Sequence, residues 1–388
     1  MNKSEIEKNL IFLFIRGSHA YGLNNDQSDI DIGGICLPSK NVIYGLDKFE
    51  QDDRWVDKNG EKEDKVIYNI TKAVGLMCEA NPNMLDFLYT PERVIKYVSP
   101  VWKKFMDIRD DFLSIKAKGS FQGYAMAQLN RIKTHRGYLL NPPKGEPKRA
   151  DYDLPEKSVF PLTQLEVISK VSSEYVSEDK RDTFYSELNA MMDKEGAQIF
   201  KKYIAIEHYP FAIADFKKGQ REFLNMISSL SGTFLKDEFT NMAENELRYM
   251  SSRYNWSRYK KWEKGRNKKR AVMEAESGFD RKHACHLIRL LLMSVEILSG
   301  KGVLVDRTGI DRDYLMDIRN GQYTFDEILE HCDELTKKGN ALYKDTVLPE
   351  NPNYDKINDL LADTLDEHLG LKSEMTTEQF MHHVKYNT

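Results

Sequence analysis

The sequence predicts an α+β protein in which a short segment of β-strands precedes a longer helical part. Two patterns support this prediction. Uninterrupted apolar runs of strand length lie near the N-terminus, the first being NLIFLFI at residues 9–15. From about residue 70 onward, the apolar residues recur at helical spacing instead. With 388 residues, 40% of them apolar, the chain can bury a full core and is long enough for two domains, which we place at residues 1–110 and 111–388.

The other elements follow in chain order. A second strand is predicted near residues 28–36 and a third near residues 64–70, after a polar stretch at 51–62 that is typical of a hairpin loop. Pro82 separates two predicted helices, because proline cannot continue the first one but fits the first turn of the next. Residues 141–161 contain five of the twelve prolines and are predicted to form a long loop, a kind of segment that often has a function.

Composition and charge limit the class of protein. The formal net charge is −4, so nucleic acid could bind only at a local basic patch. The four cysteines lie far apart without paired spacing, which argues against a zinc site and a disulfide framework and favours a reducing compartment. No apolar stretch approaches the ~18 residues of a membrane span, and the N-terminus lacks the apolar core of a signal peptide. We therefore expect a cytoplasmic protein without a membrane partner.

Two acidic residues, Asp29 and Asp31, alternate with isoleucines on the predicted second strand. Successive side chains of a strand face opposite ways, so both carboxylates are expected on one face, while Ile30 and Ile32 pack in the core. Two adjacent carboxylates repel each other and one pKa rises, unless a cation lies between them. Oxygen ligands favour a hard divalent ion such as Mg²⁺, and two such ions about 3.5–4 Å apart can hold the attacking and leaving oxygens of a phosphoryl transfer. The pattern therefore indicates a phosphate-containing ligand.

Gly17 and Ser18 end the first predicted strand and open a turn. Glycine permits close approach of a ligand, and the backbone N–H groups and the Ser18 hydroxyl of such a turn can bind the β- and γ-phosphates of a nucleotide. A Gly-Ser pair or an acidic pair alone is common by chance. The order of apolar strand, Gly-Ser, ten residues and acidic strand is much more specific.

The helical part contains a basic and aromatic segment, RYNWSRYKKWEKGRNKKR, between Arg253 and Arg270. It interleaves nine Lys and Arg residues with four aromatic ones. Because cations neutralise phosphates and aromatic rings stack on unpaired bases, the segment predicts an RNA contact. The alternative is an amphipathic helix with its aromatic residues in the core and its lysines in solvent. The candidate RNA-binding residues are Arg258, Lys260, Lys261, Arg266, Asn267, Lys268, Lys269 and Arg270.

A helix predicted over residues 280–299 has Lys282, His286 and Arg289 on one face. Three potential cations on a largely apolar helix are costly unless they meet an anion, so we expect them to bind a phosphate of the incoming nucleotide or of RNA. His135, in the run RIKTHRG, is a further candidate RNA contact, for which a buried ion pair is an equal alternative.

These motifs resemble a known family. The spacing from Gly17-Ser18 to Asp29-Ile30-Asp31-Ile32 resembles the signature of the DNA polymerase beta superfamily of nucleotidyltransferases. The longer string GSHAYGLNNDQSDIDIGG is similar to one branch, the predicted nucleotidyltransferases assigned to RNA-repair pathways. Other segments resemble that branch in the same order, over nearly the whole chain: ANPNMLDFLY, GYAMAQLNR, LLNPPKGEPKRADYDLP, KWEKGRNKKRAVMEAESGFDRKHACHLIRLL and IRNGQYTFDEI. Gly33 departs from the branch, where an arginine is expected; the change would cost a phosphate or structural contact but leaves the carboxylates intact.

The resemblance implies a polymerase-beta-like catalytic domain with a small mixed β-sheet at 1–110, and a helical domain at 111–388 that binds nucleotide and acceptor. Gly17 and Ser18 would hold the triphosphate. Two Mg²⁺ ions, with Mn²⁺ as the alternative, would be ligated by Asp29, Asp31 and a third carboxylate on a later strand. For that third residue the candidate is Asp64, with Glu63 and Glu61 as alternatives.

The sequence thus predicts a metal-dependent nucleotidyltransferase that moves a nucleoside monophosphate from an NTP to an acceptor hydroxyl and releases pyrophosphate. The favoured acceptor is an RNA 3′ end, with a damaged tRNA as the specific candidate, on family analogy and on the basic segment. AMP transfer to a protein or a small molecule would use the same carboxylates. A non-catalytic RNA-binding or antitoxin-like module is the other alternative.

Overall fold

The computed structural model describes residues 1–26, 28–55, 64–156, 176–191, 237–266 and 268–371. The chain is divided into two compact units, one formed by residues 1–140 and 268–388 and the other by residues 141–267. The first unit is therefore discontinuous in sequence. The predicted division into a catalytic domain at 1–110 and a mainly helical domain at 111–388 stays a prediction.

The first unit contains a mixed β-sheet. Within the described residues it has five strands in the order β3-β4-β2-β1-β5, with β2 and β4 parallel and the other neighbours antiparallel. This confirms the predicted α+β class and mixed sheet. The strands are Leu10–Arg16 (β1), Asp31–Cys36 (β2), Gln51–Asp52 (β3), Lys65–Asn69 (β4) and Ile95–Val98 (β5).

Two strand predictions need correction. The second strand begins at Asp31, not near residue 28, so Asp29 precedes it. Ile30 was expected in the core, but it is 59% exposed because the chain has not yet joined the sheet at that residue. The stretch at 51–62 was predicted to be loop throughout. Gln51 and Asp52 instead form β3, which pairs antiparallel with β4, and residues 56–63 lie outside the described residues.

Helices make up most of the remaining described chain, and their caps explain several of their ends. A helix begins at Pro82, as the sequence predicted, and Asn81 caps it. Asp280 caps the helix predicted over 280–299. The helices are Lys3–Lys8 (α1), Lys40–Tyr44 (α2), Ile70–Cys78 (α3), Pro82–Leu88 (α4), Pro100–Asp107 (α5), Lys116–Leu140 (α6), Arg181–Met191 (α7), Asp237–Gly265 (α8), Lys268–Ser277 (α9), Arg281–Leu298 (α10), Arg312–Asn320 (α11), Phe325–Asp345 (α12) and Tyr354–Leu369 (α13).

One continuous core joins the sheet to the helices of the first unit. Phe12 and Phe14 of β1 pack with Phe87 of α4, and the same core includes Leu287 and Leu291 of α10. Helix α10 is thus held in the unit that contains the sheet, although it lies far away in sequence. All four cysteines are buried and unpaired, and none of the described helices is long and apolar enough to cross a membrane.

The second unit contains the proline-rich loop and α8. The two terminal guanidinium nitrogens of Arg149 donate to the two oxygens of the Glu246 carboxylate, at 2.7 and 2.6 Å. This ion pair is largely buried. Arg253 of α8 also pairs with Glu146 of the loop. These two ion pairs attach the described part of the loop to α8.

Candidate active site

The carboxylates of Asp31 and Asp64 lie side by side because β2 and β4 are parallel and start at the same level. Ile32 is the register partner of Lys65, and the Ile32 N–H donates to the Asp64 carbonyl at 2.8 Å. Asp31 and Asp64 therefore come directly before the first residues that pair β2 with β4, and their carboxylates are within hydrogen-bonding reach of each other. Glu63 and Glu61, the alternatives to Asp64, lie outside the described residues.

The electrostatics of this pair favour a bound cation. Burial raises the pKa of Asp31 to about 6, and the neighbouring Asp64 carboxylate adds to the rise, while the charges of Arg16 and Lys282 oppose it. Arg16, the cross-strand partner of Asp31, approaches Asp64 only to 3.9 Å. Two adjacent carboxylates that are not fully compensated are a suitable oxygen donor set for a hard divalent ion.

Asp29 differs from Asp31 in that it is exposed and lies outside the sheet. It precedes β2 and is exposed to solvent, so strand alternation does not determine the direction of its side chain. Among the described residues, no three His, Cys, Asp or Glu side chains are grouped closely enough to hold a metal ion. The proposed three-carboxylate site therefore requires Asp29 to approach the Asp31–Asp64 pair.

The turn after β1 adjoins Asp31 directly. Gly17 has φ +66°, and a Cβ built on it would lie 2.6 Å from Oδ2 of Asp31. The turn is closed by hydrogen bonds from the Tyr21 N–H to the Gly17 carbonyl at 3.2 Å and from the Leu23 N–H to the Ser18 carbonyl at 2.8 Å. The turn that contains Gly17 and Ser18 thus lies next to Asp31. This is the position expected of a turn that binds the phosphates of a metal-bound nucleotide.

The predicted cationic face of α10 is turned towards this region, but its three residues differ in environment. Lys282 is exposed, and its charge lowers the pKa of Asp31. Arg289 is only 5% exposed; its guanidinium stacks on the Tyr21 ring at 3.4 Å and donates to the Met293 sulfur. Burial lowers the pKa of His286 to about 3, so this imidazole is neutral and does not supply a charge for a phosphate. Lys282 is therefore the residue of the three best suited to meet a phosphate.

A buried polar network formed by Tyr21, Asp86 and Arg289 was not predicted from the sequence. The Tyr21 hydroxyl donates to Asp86 of α4, and Arg289 lies over the Tyr21 ring. Burial raises the pKa of Asp86 to about 6, opposed by Arg289 and by the hydrogen bond from Tyr21. The signal was available in NPNMLDFLY, where Asp86 is a charged residue among the apolar positions of a short buried helix.

His135 lies near a second pair of titratable residues. Its ring meets that of His283 edge to face, with centroids 6.5 Å apart. His283 is held by Asp280, whose two carboxylate oxygens lie 2.9 Å from the His283 backbone nitrogen and 2.5 Å from its Nδ1. No role was predicted for His283; its spacing of three residues from the helix-capping Asp280 was the available signal.

The candidate RNA-binding residues are distributed along α8 and beyond it. Arg258, Lys260 and Lys261 are exposed on this helix, and Arg266 lies over the half-buried Trp262 ring at 4.8 Å. Asn267 lies outside the described residues, and only the helical backbone is described for 268–270, the positions of Lys268, Lys269 and Arg270.

Next to the exposed basic residues of α8, the proline-rich loop and this helix line an open pocket of about 520 Å³. Its walls include Pro143, Pro147, Tyr152 and Trp256, with Asn255 among its polar groups. The pocket is large enough for a nucleobase and combines flat apolar surfaces with hydrogen-bonding groups. The loop that was predicted to be functional therefore forms a concave surface with the helix that carries the basic residues.

A mixed sheet with adjacent carboxylates beside a glycine turn is the arrangement expected of a polymerase-beta-like nucleotidyltransferase core. Residues 1–140 match the family model RlaP, described as the RNA repair pathway DNA polymerase beta family, which confirms the resemblance for this part of the chain. The chain is also 31% identical over 122 residues to an uncharacterized 38.9 kDa protein in the nrdC-mobD intergenic region of Enterobacteria phage T4. That alignment covers 30% of this chain and 36% of the phage protein. No solved structure matches the chain.

Proposed function

We propose that the protein transfers a nucleoside monophosphate from an NTP to an acceptor hydroxyl and releases pyrophosphate. The observation that carries this proposal is the contact between the Asp31 and Asp64 carboxylates beside the Gly17 turn. Two adjacent carboxylates have no reason to meet for structural purposes, because they repel each other. Beside a glycine turn that a phosphate can approach closely, they suit a metal-bound triphosphate. The family match of residues 1–140 supports the same activity class.

The residues fit the divalent ions that this activity needs. Asp31 and Asp64 would hold them, with Asp29 as the third ligand. Burial and the neighbouring Asp64 carboxylate raise the pKa of Asp31 more than the charges of Arg16 and Lys282 lower it, which is consistent with a site that gains from a bound cation. When bound, Mg²⁺ or Mn²⁺ would supply charge neutralisation for the pyrophosphate and a lower pKa for the acceptor hydroxyl.

The other residues would bind and orient the substrates. Gly17 and Ser18 would contact the triphosphate through the turn, and Lys282 would meet one of its phosphates from α10. Asp64, the more exposed of the two contacting carboxylates, would accept the proton of the acceptor hydroxyl. Arg289 and His286 would support this site from the buried side without contacting phosphate.

We further propose that the acceptor is RNA, with a damaged tRNA 3′ end as the candidate. The exposed cations of α8 support binding to the phosphate backbone, and the adjoining pocket with Trp256 supports stacking of an unpaired base. This combination favours single-stranded RNA over a small-molecule acceptor.

The test incubates the protein with each labelled NTP, Mg²⁺ and total RNA, and compares the wild type with Asp31→Asn, Asp64→Asn and the control Asp359→Asn, an exposed carboxylate on α13. Label is expected on RNA with the wild type and the control, and not with either site variant. Label on protein would favour nucleotidylation of a protein. RNA binding without transfer of label would favour a non-catalytic module, and transfer that survives both site substitutions would overturn the site.

A further inference from the structure

Five successive backbone carbonyls, those of His19 to Leu23, each accept a hydrogen bond from a distant part of the chain. Arg93 donates to the His19 and Ala20 carbonyls at 2.7 and 2.9 Å. The Arg307 backbone N–H donates to Tyr21 at 3.1 Å. The side chains of Arg312 and Arg319 donate to Gly22 and Leu23 at 2.8 and 2.5 Å. We call the three residues that donate through their side chains, Arg93, Arg312 and Arg319, the arginine clamp.

The donors Arg307, Arg312 and Arg319 lie in or next to α11, in the part of the first unit that follows the 141–267 insertion. This region packs tightly on the turn. A Cβ on Gly22, which has φ +70°, would lie 2.5 Å from the Thr308 hydroxyl and 3.0 Å from Asp306. A side chain at residue 22 would therefore push the two segments apart.

The region is itself fixed to α10 and to Arg93. The Arg307 side chain is fully buried and bridges the carboxylates of Glu296 on α10 and Asp311. Asp306 accepts from Arg93 at 2.7 Å, so the same arginine joins the turn to this region. The region that carries Arg312 and Arg319 is thus anchored to the helical core through Arg307.

The clamp controls the part of the backbone that would face a triphosphate. A peptide unit is planar, so a fixed carbonyl of one residue fixes the N–H of the next. The hydrogen bond from Arg93 to the His19 carbonyl therefore fixes the direction of the Ala20 N–H group, within the turn that adjoins Asp31. Hydrogen bonds to the Ala20 and Gly22 carbonyls fix the Tyr21 and Leu23 N–H groups, which close the turn on the Gly17 and Ser18 carbonyls. A turn that is already fixed in shape loses less entropy when it binds an anion.

We propose that Arg93, Arg312 and Arg319 are positioning residues, which hold the Gly17–Leu23 turn in the shape that binds the triphosphate. This inference rests on the proposed nucleotidyltransferase function. It also makes residues 306–319, which lie outside the part of the chain that matches the family model, a necessary part of the nucleotide site.

The test uses the full chain with Arg312→Ala, Arg312→Lys and the control Arg109→Ala, an exposed arginine that lies over the Tyr89 ring. Binding of each of four NTP analogues with a non-hydrolysable α,β-bridge is measured by calorimetry in Mg²⁺, and amide hydrogen exchange is measured across the turn. For Arg312→Ala we expect about tenfold weaker analogue binding and faster exchange at residues 18–23, because a charge-assisted hydrogen bond is lost. Arg312→Lys should recover part of the affinity, and Arg109→Ala should behave as the wild type.

The outcomes separate this inference from the function on which it rests. If the wild type binds no analogue, the proposed function fails and the inference fails with it. If the wild type binds and Arg312→Ala binds equally well, the inference alone is wrong. A merely structural role would leave the analogue affinity of the folded fraction unchanged while speeding exchange throughout the first unit, and this result would also overturn it. In the transfer assay, a positioning role raises the KM for NTP and leaves the KM for the acceptor unchanged.

Discussion

The Oδ2 atom of Asp31 lies 2.6 Å from the place that a Cβ on Gly17 would occupy. The turn after β1 and the first residue of β2 are therefore in direct contact. Only glycine, which has no side chain, fits at position 17. Gly17 also has φ +66°, a conformation that is costly for other residues.

This contact predicts that Gly17→Ala disturbs the turn and the acidic pair together. We expect a loss of stability of about 1–3 kcal/mol from the left-handed conformation and the clash, together with loss of nucleotide binding. Chemical denaturation and calorimetry in Mg²⁺ measure the two effects. The matched control is Gly123→Ala on α6, where an added Cβ meets nothing within 4 Å. That control should be stabilised by up to about 1 kcal/mol, and equal behaviour of the two variants would contradict the prediction.

A second prediction concerns Gly33, at which the related branch is expected to have arginine. A Cβ on Gly33 would lie 2.9 Å from Phe14 and 3.0 Å from Phe87, so the core has no room for a side chain there. Gly33→Ala is expected to lower the free energy of unfolding by about 1–3 kcal/mol, and Gly33→Arg by more. Gly75→Ala on α3, where the space is open, is the control. A stable Gly33→Arg variant would show that the branch arginine can be accommodated.

A third prediction follows from the pKa of Asp86, which burial raises to about 6 from an ordinary value of 3.8. The folded protein then binds the Asp86 proton more tightly than the unfolded chain, so the contribution of this group to stability falls as the pH rises from about 4 to 6. In Asp86→Asn this dependence should disappear, and the difference in unfolding free energy between the variant and the wild type should change by roughly 1–3 kcal/mol over that range.

Urea titrations at pH 4 and pH 7 measure this difference, with Asp359→Asn as the control on the solvent-exposed side of α13. A constant difference between the wild type and Asp86→Asn at both pH values would mean that the Asp86 carboxyl titrates normally in the folded protein.

A fourth prediction concerns the basic surface of α8. Lys261→Ala should weaken binding of single-stranded RNA uniformly across sequences and reduce the slope of log affinity against log salt by about one. Trp256→Ala should weaken binding with little change in the salt slope, because stacking releases no counterions. Lys338→Ala, an exposed lysine on α12, is the control. Fluorescence anisotropy at several salt concentrations measures all three, and equal effects of Lys261→Ala and Lys338→Ala would contradict the proposed surface.

Local patterns predicted much of the fold. The apolar run before Gly17, the helix start at Pro82 and the helix from Arg281 to Leu298 were all available from periodicity and capping residues. These features depend on residues within a few positions of one another, so the sequence alone shows which residues interact. The start of β2 was placed too early because alternation of acidic and apolar residues does not show where pairing begins.

The amino-acid sequence by itself determined the class of fold, the glycine turn and the acidic residues that follow it. Among the described residues, only the tertiary structure shows that the Asp64 carboxylate contacts Asp31, since that contact arises from the parallel register of β2 and β4. It also decided that Arg289 stacks on Tyr21 and that Arg312 holds the Gly22 carbonyl. The physical reason is that helical or strand periodicity fixes which side chains share a face, whereas the partner of that face depends on contacts between segments that are far apart in the sequence.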